Sequence, residues 1–595
     1  MATHLRAVAT PPKWMDEMDN DAPPPKPPPD AAQDAERAKF AEQVISIVRA
    51  SAELFHDPKG NAYAVVTLDK RRAAMRLKSS VMKSWIAKMA RASLGKSVGS
   101  AAIDEAIMVL EGIARFDCDS RPVYLRVAEY EGAIYVDLGD DTGACVEVTA
   151  RGWAIRDEAP VMFRRPDAMR PLPRPELGGK LDQLRPFFNG ADDDAHCLFA
   201  AWLVAALRPG LPFPILALHG EQGTAKSTAS RIARALVDPN IAPVRSVPRT
   251  EDDLAVASLH SHVVAFDNLS GVPPWLSDAL CRLATGGGLS KRTLYADDEE
   301  TIIEAIRPII VNGIDDLANR ADLAERCLVL TLQPIPKARR RAEAMFWRAF
   351  EIAAPSLFGV LLDGVASALR TLPTTQIADL PRMADFALWI AAAEPGLGLA
   401  RGTLLAAYER NRVRVVDVAL DASPVASAVR ELLDRLAHDG PWEGTPDQCL
   451  GALTDLVPDA TRRAPGWPRN ASALSKGLRR AATFLRTVGV ALDLDGHDGR
   501  GDDKRRVWRV ARVDGGANAV PAVPASPPAG NTVNARGRQP EQGRSQRRPH
   551  PGPRTTCGDD VGTTTTAPPS PLAPHENRGW GHGDAGDDDS SPGAS

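Results

Sequence analysis

The sequence predicts a multidomain α/β protein, and three observations carry that expectation. Residues 211–335 alternate apolar runs with amphipathic stretches, the pattern of a parallel sheet covered by helices. Residues 426–513 read as helix, helix, helix and a strand hairpin, which is a winged-helix-like order. The two ends, 1–36 and 514–595, are polar and rich in Pro, Gly and Ser, with little to bury, so both are expected to be disordered. With 595 residues, 44% hydrophobic and 25% charged, the chain has material for several domains with large cores.

The N-terminal end carries the run Pro23-Pro24-Pro25-Lys26-Pro27-Pro28-Pro29. Residues 37–180 follow as an α/β domain of unassigned role. A helix is expected from about Asp34 to Leu54, and others near 78–93 and 101–114. Strands are expected at Ala62–Leu68, Val123–Val127, Ala133–Asp137 and Cys145–Val148. This part shows no carboxylate triad on strands and no metal-ligand cluster, so a primase or polymerase centre is not expected in it. Residues 181–210 form a helical lead-in to the core unit 181–338, with Leu184, Phe187, Phe188, Leu198 and Trp202 as core candidates. Residues 339–425 read as helical, and 426–513 as the winged-helix-like domain. The tail holds a loose basic stretch from Arg536 to Arg554 and ends near Asp587-Asp588-Asp589. It reads as a solubilising segment, with weak nucleic-acid contact as the sharper alternative.

The net charge of −4 carries no global signal, so a nucleic-acid surface has to be a local patch. The seven cysteines have no metal-binding spacing and are odd in number, which fits a reduced, cytoplasmic protein. The longest apolar run, Cys197 to Leu207, is too short to span a bilayer.

The chemistry concentrates at Gly220-Glu221-Gln222-Gly223-Thr224-Ala225-Lys226-Ser227. Pro214 to His219 is a buried-strand pattern, and Ser227 to Leu236, with Thr228 in its first turn, continues as a helix. A strand–loop–helix of this kind binds phosphate because Gly220 and Gly223 let the backbone wrap closely, successive N–H groups point inward, and the helix start adds partial positive charge. Lys226 is placed to bridge the β- and γ-phosphates of ATP, and the Ser227 hydroxyl to bind Mg²⁺. Ala225 stands where Gly is usual, which a helical backbone would tolerate.

His262 to Asp267 is an apolar strand ending in a carboxylate, so Asp267 is a second candidate group for Mg²⁺. Asn268 follows it and can orient a water but cannot take its proton; Glu221 is a candidate helper. Arg307 to Gly313 is a third buried strand whose Asn312 suits a sensor of the γ-phosphate, or else caps a turn. Arg326 and Arg320 lie near the strand Cys327–Leu332. Arg326 is preferred as an arginine finger acting on a neighbouring subunit, the alternative being a surface Arg.

Taken in order, these parts resemble the superfamily 3 helicases of viruses, phages and integrated elements, above all the phage and plasmid primase-associated ATPases. The chain also resembles "ATP-binding proteins" of actinobacterial mobile elements. The resemblance implies an AAA+-like P-loop core, a hexameric ring with ATP between subunits, and movement on single-stranded DNA; a separate primase is a further possible partner. In the family a hairpin before the sensor strand tracks DNA with basic residues. Here its tip, Ala296-Asp297-Asp298-Glu299-Glu300, is acidic and repels the phosphate backbone, which leaves Lys291 and Arg292 beside it as the DNA contacts. The run Gly286-Gly287-Gly288 before them is a loop near phosphate or a flexible connector.

In the C-terminal domain, Asn470 and Ser472 mark a helix start, and Leu474, Leu478, Ala481 and Leu485 share one face of the helix to Thr487. Lys476, Arg479, Arg480 and Arg486 lie largely elsewhere. Val488–Leu492 and Arg506–Val510 can pair across a loop, with Lys504 and Arg505 beside it. The 470–510 region therefore reads as DNA-binding or as a protein–protein module. Three readings of the whole remain: a DNA-dependent motor or loader, an ATP-dependent assembly switch, and a P-loop kinase.

Overall fold

A computed structural model describes residues 29–513, except 69–70, 270–271, 293–299, 304, 314–320, 422, 437–439, 465 and 499–504. The Pro-rich start, the tail, the tip residues 296–299, Arg320 and Lys504 lie outside the described residues.

The chain opens with α1 (Pro29–Ser51), which passes directly into β1 (Ala52–His56). The helix expected to reach Leu54 thus stops at Ser51, and Leu54 belongs to a strand. β1 pairs antiparallel with β2 (Ala62–Leu68), which pairs with β3 (Arg71–Arg76). Helices α2 (Ser80–Leu94) and α3 (Ser100–Phe116) follow. Ser79 caps α2 by accepting from the Met82 N–H at 3.2 Å. The apolar stripes Met82, Trp85, Ile86 and Ile103, Ile107, Leu110 join Val44, Val48, Ala64 and Val66 in one core.

The strand expected at 123–127 divides into β4 (Val123–Tyr124) and β5 (Val127–Tyr130). A second antiparallel sheet then runs in the order β5, β6 (Ala133–Asp137), β7 (Cys145–Thr149), β8 (Gly152–Arg156), and β9 (Met162–Phe163) returns to pair with β4. Helix α4 (Asp193–Ala206) is apolar almost all round and buried along most of its length, with Leu198 and Trp202 inside. Leu184, Phe187 and Phe188 are buried as expected.

The central sheet contains β10 (Ile215–His219), β11 (Val264–Phe266), β14 (Ile309–Asn312) and β15 (Cys327–Thr331). All its pairings are parallel, in the order β11-β14-β10-β15. Between these strands come α5 (Lys226–Val237), α6 (Glu251–His260), α7 (Pro274–Thr285), the hairpin β12 (Leu289–Arg292) with β13 (Glu300–Ile303), and α8 (Ala321–Ala324). Period-two alternation sorts the side chains onto two faces. Leu216, Leu218, Ile310 and Leu328 pack with α4 and α5. Ile215, Ala217, Phe266 and Val311 pack with α6 and α7. The result is a three-layer α/β/α unit.

Helices α9 (Glu343–Thr371), α10 (Ala384–Ala393) and α11 (Thr403–Asp421) complete the 339–425 region. α9 is long and apolar enough to cross a membrane, but Leu357, Phe358, Leu361, Leu362 and Val365 are buried in the core shared with α4 and α10, as a soluble core helix would have them. The last part holds α12 (Pro424–Leu436), β16 (Trp442–Gly444), α13 (Pro446–Leu456), α14 (Asp459–Arg463), α15 (Ala471–Thr487), β17 (Val490–Asp493), β18 (His497–Asp498), β19 (Arg505–Arg506) and β20 (Trp508–Arg512). The expected hairpin gains a third strand, giving the order β16-β20-β17. Leu474, Leu478, Ala481 and Leu485 of α15 are buried, while Lys476, Arg479, Arg480 and Arg486 are exposed. The six described cysteines are free thiols.

A buried charged joint fastens the 126–170 segment to the central sheet. Asp238 ends α5 and is 1% exposed. Its carboxylate accepts from the backbone N–H groups of His262 and Val263 at 3.0 Å each, and from Arg126 Nε at 3.3 Å. Arg126 also donates to the carbonyls of Asp137 and Arg170. Arg234 donates to the Asp238 carbonyl at 2.9 Å, and its Nη2 stands 3.4 Å from Oδ2, close enough for attraction but not aligned for a hydrogen bond. Burial alone would raise the Asp238 pKa, yet Arg234 and then Arg126 hold it below the ordinary value.

His262 lies in this joint with Nε2 2.7 Å from the Ala206 carbonyl. Burial pushes its imidazole from 6.5 down to about 4. Between those two values the unfolded chain takes up the proton and the folded chain does not. The contribution is therefore complete above pH 6.5 and is lost as pH falls toward 4, by about 3 kcal/mol. Urea denaturation at pH 7 and pH 4 should show this loss, and a His262→Gln variant should show a smaller one.

Candidate active site

The carboxyl ends of parallel strands gather chain turns at one sheet edge, where open α/β folds place their ligands. Three such turns meet here. β10 runs into residues 220–225 and then α5, β11 into Asp267 and Asn268, and β14 into Gly313. Because β14 lies between β10 and β11, Asn312 sits between the 220–228 segment and Asp267.

The loop after β10 is held by its glycines and by its own hydrogen bonds. Gly223 has φ +83°, and a Cβ on Gly220 would stand 2.7 Å from the Leu332 carbonyl oxygen, so glycine is required there. The Thr224 hydroxyl donates to the Glu221 carbonyl at 2.9 Å. Lys226 Nζ donates to the Gly220 and Glu221 carbonyls at 2.5 and 2.9 Å, which draws the ammonium back over the loop. Glu221, Gln222 and Gly223 are exposed; Ser227 and Thr228 are half-buried in the first turn of α5.

Ala225 corrects one expectation. Its backbone is left-handed, φ +68° and ψ +33°, rather than right-handed helical. A methyl group there costs roughly 1–2 kcal/mol, which a glycine avoids, while glycine gives back about 0.4–1 kcal/mol through the looser unfolded chain. Ala225→Gly should thus stabilise the fold by about 0.5 kcal/mol, whereas Ala229→Gly inside α5 should destabilise it. Paired urea titrations check both signs.

Asp267 is half-buried, and its N–H donates to the Arg245 carbonyl at 2.9 Å. Asn268 is exposed with φ +58°, a conformation that Asn adopts more readily than most residues. Asn312 explains that turn. It is 1% exposed, its Oδ1 accepts from the Asn268 N–H at 2.8 Å, and its Nδ2 donates to Ser230 Oγ at 3.2 Å. Its carbonyl also accepts from Leu269 N–H at 2.9 Å. One amide thereby ties β14, the turn after β11 and helix α5 together.

Arg326 lies elsewhere. It precedes β15, and its carbonyl accepts from Ile215 N–H at the start of β10. It occupies the opposite sheet edge, about 16 Å from the loop at ~3.3 Å per residue. Lys291 and Arg292 sit on β12, their backbones opposite Thr301 and Glu300. Two residues escaped the sequence reading. Ser230 was visible in principle, as a small polar residue one turn after Lys226. The Arg245 carbonyl gave no sequence signal.

Fold and site define a multidomain mixed α/β protein with a glycine-bearing strand–loop–helix at the carboxyl edge of a parallel sheet. Residues 181–417 match the family model described as Actinomycete integrative conjugative element replication protein, and residues 425–525 match that of the AICE RepA C-terminal domain. Together they span more than half of the chain, which belongs to this family of mobile-element replication proteins. No curated protein matches the chain. Among solved structures, the A-form apo structure of the NrS-1 C-terminal region is 11% identical, with TM-score 0.36, covering 80% of this chain and 99% of that one. The active helicase Cch of SCCmec type IV is 12% identical, with TM-score 0.41, covering 78% and 93%. At these scores the likeness carries neither fold nor function to this chain.

Proposed function

We propose that this replication protein is an ATP-hydrolysing motor or loader that acts on DNA during copying of a mobile element. The observation that carries the reading is the convergence of Gly220–Thr228, Asp267 and Asn312 on one sheet edge. The residues fit Mg²⁺-ATP: positive φ at Gly223 and Ala225 would let successive N–H groups turn toward a phosphate, and the twelve-residue helix α5 would add its N-terminal partial charge. Lys226 would exchange its two carbonyl partners for phosphate oxygens. Ser227 and Asp267 would hold the cation, which supplies charge neutralisation at the phosphates. Mg²⁺ bound largely through phosphate and water needs no cluster of three protein ligands, and none occurs among the described residues. Arg326, on the far edge, would serve only the nucleotide of another copy in a ring.

The 424–513 region, with buried Leu474 and Leu478 beneath an exposed basic face, supports a winged helix that docks DNA through α15. Its Arg479 and Arg506 both pair with Asp495, so Lys476, Arg480 and Arg486 are the better phosphate contacts. The test is ATP hydrolysis by the full chain with and without single-stranded DNA. DNA-stimulated turnover is expected; no hydrolysis in either condition overturns the motor.

One observation favours a second reading, an ATP-dependent assembly switch. No acid follows Asp267, and the left-handed backbone of Asn268 suits Asn rather than Glu. Tight ATP binding and ATP-dependent oligomerisation with negligible turnover would select it.

A further inference from the structure

We propose that a second cleft, between β3 and the 157–167 segment, binds a nucleoside phosphate, with the phosphate among Arg71, Arg76 and Arg164 and the base against Met75 and Phe163. The cleft has a volume of about 790 Å³ and is lined also by His260. That size suits one to two nucleotides.

Its chemistry is divided. Met75, Met162 and Phe163 are half-buried and give an apolar wall on which a base can lie. Of the cations, Arg72 pairs with Glu158 at 3.0 Å, Arg165 Nε donates to Asp137 at 2.8 Å, and Lys78 pairs with Glu111 at 2.7 Å. Three are not neutralised in this way. Arg71 makes no ion pair among the described residues; Arg76 donates to the neutral Asn61 amide, and Arg164 to the Leu259 carbonyl. The lining acids without ion pairs among the described residues, Asp157 and Asp167, are exposed at the rim. Like charges, half-buried Arg71 and Arg164 and exposed Arg76, therefore gather in the cleft. Burial, then Arg164, Arg245 and Arg76, push the His260 pKa down. Arg164 is lowered by burial, against the opposing pull of Tyr63 and Asp57, with Arg76 adding to the lowering. An anion relieves that repulsion, and a planar guanidinium matches a phosphate bidentately.

The cleft also touches the element that leads to Asp267. Arg164 holds the carbonyl at the end of α6, His260 ends that helix, and β11 begins four residues later. A ligand there bears on the strand carrying Asp267 from its far end.

The proposal stands whether or not the first site hydrolyses ATP, and its test is run in the full-length Lys226→Ala protein so that the first site does not contribute. Binding of fluorescein-labelled dT10 is read by anisotropy, and radiolabelled dTMP by equilibrium dialysis. Both ligands are compared with an Arg71→Gln/Arg76→Gln variant whose thermal melt matches the parent. A tenfold or greater loss for dTMP points to a free nucleotide. A tenfold loss for dT10 with no dTMP binding points to a strand. A 5-iododeoxyuridine oligonucleotide should crosslink within the peptide containing Phe163. Unchanged binding of both ligands together with no crosslink there overturns the proposal.

Discussion

Lys226→Ala should lower ATP turnover by roughly a hundredfold or more while leaving the melting temperature within a few degrees. The ammonium is half-buried over the loop, held only by the Gly220 and Glu221 carbonyls, so its removal leaves no buried charge unpaired. No cation on the same helix replaces it. Arg231 is turned onto the Trp347 ring, 4.4 Å from its centroid, and pairs with Glu343 at 2.7 Å. Charge that develops on the phosphates would then meet the backbone N–H groups and the cation, with no side-chain cation of the loop beside them. Phosphate release at saturating Mg²⁺-ATP measures the effect, and turnover within twofold of the parent would show that Lys226 is not the phosphate contact.

The largest stability effect should come from Asp238→Ala, at about 3–5 kcal/mol. The substitution strands Arg126 and Arg234, each 0% exposed, without their counter-charge, and leaves the His262 and Val263 N–H groups without an acceptor. Asp238→Asn should cost less, because one amide oxygen can still accept from one of those N–H groups. Guanidinium titrations of the three proteins rank them; Asp238→Ala equal to the parent would mean that the joint adds nothing. Because the joint fastens the 126–170 segment, limited proteolysis should cut there first in the weakened variant.

Local pattern made much of the central sheet legible. β10, β11, β14 and β15 are short apolar runs bounded by polar turns, and the start of α15 was visible from Asn470, whose side chain accepts from the Ala473 N–H at 2.8 Å. Where pattern and neighbourhood compete, the sequence was silent. β1 continues the apolar spacing of α1, and only pairing with β2 makes it a strand. β3, reading Arg-Arg-Ala-Ala-Met-Arg, carries no β-branched residue and owes its form to the same sheet. The joint at Asp238 depends on groups far apart in the chain: Arg126 and Asp238 are 112 residues apart. The second cleft needs both antiparallel layers before it exists.

The amide of Asn312 has a mechanical consequence. A hydrogen bond tolerates only a few tenths of an ångström before it weakens, and this side chain makes two at once, in different directions. Helix α5 cannot slide along the sheet without stretching the Ser230 link or pulling on the Asn268 peptide. Any recoil of α5 on loss of a bound phosphate would thus be transmitted as strain to the turn beside Asp267, and the sheet edge would work as a stiff lever rather than as three independent loops.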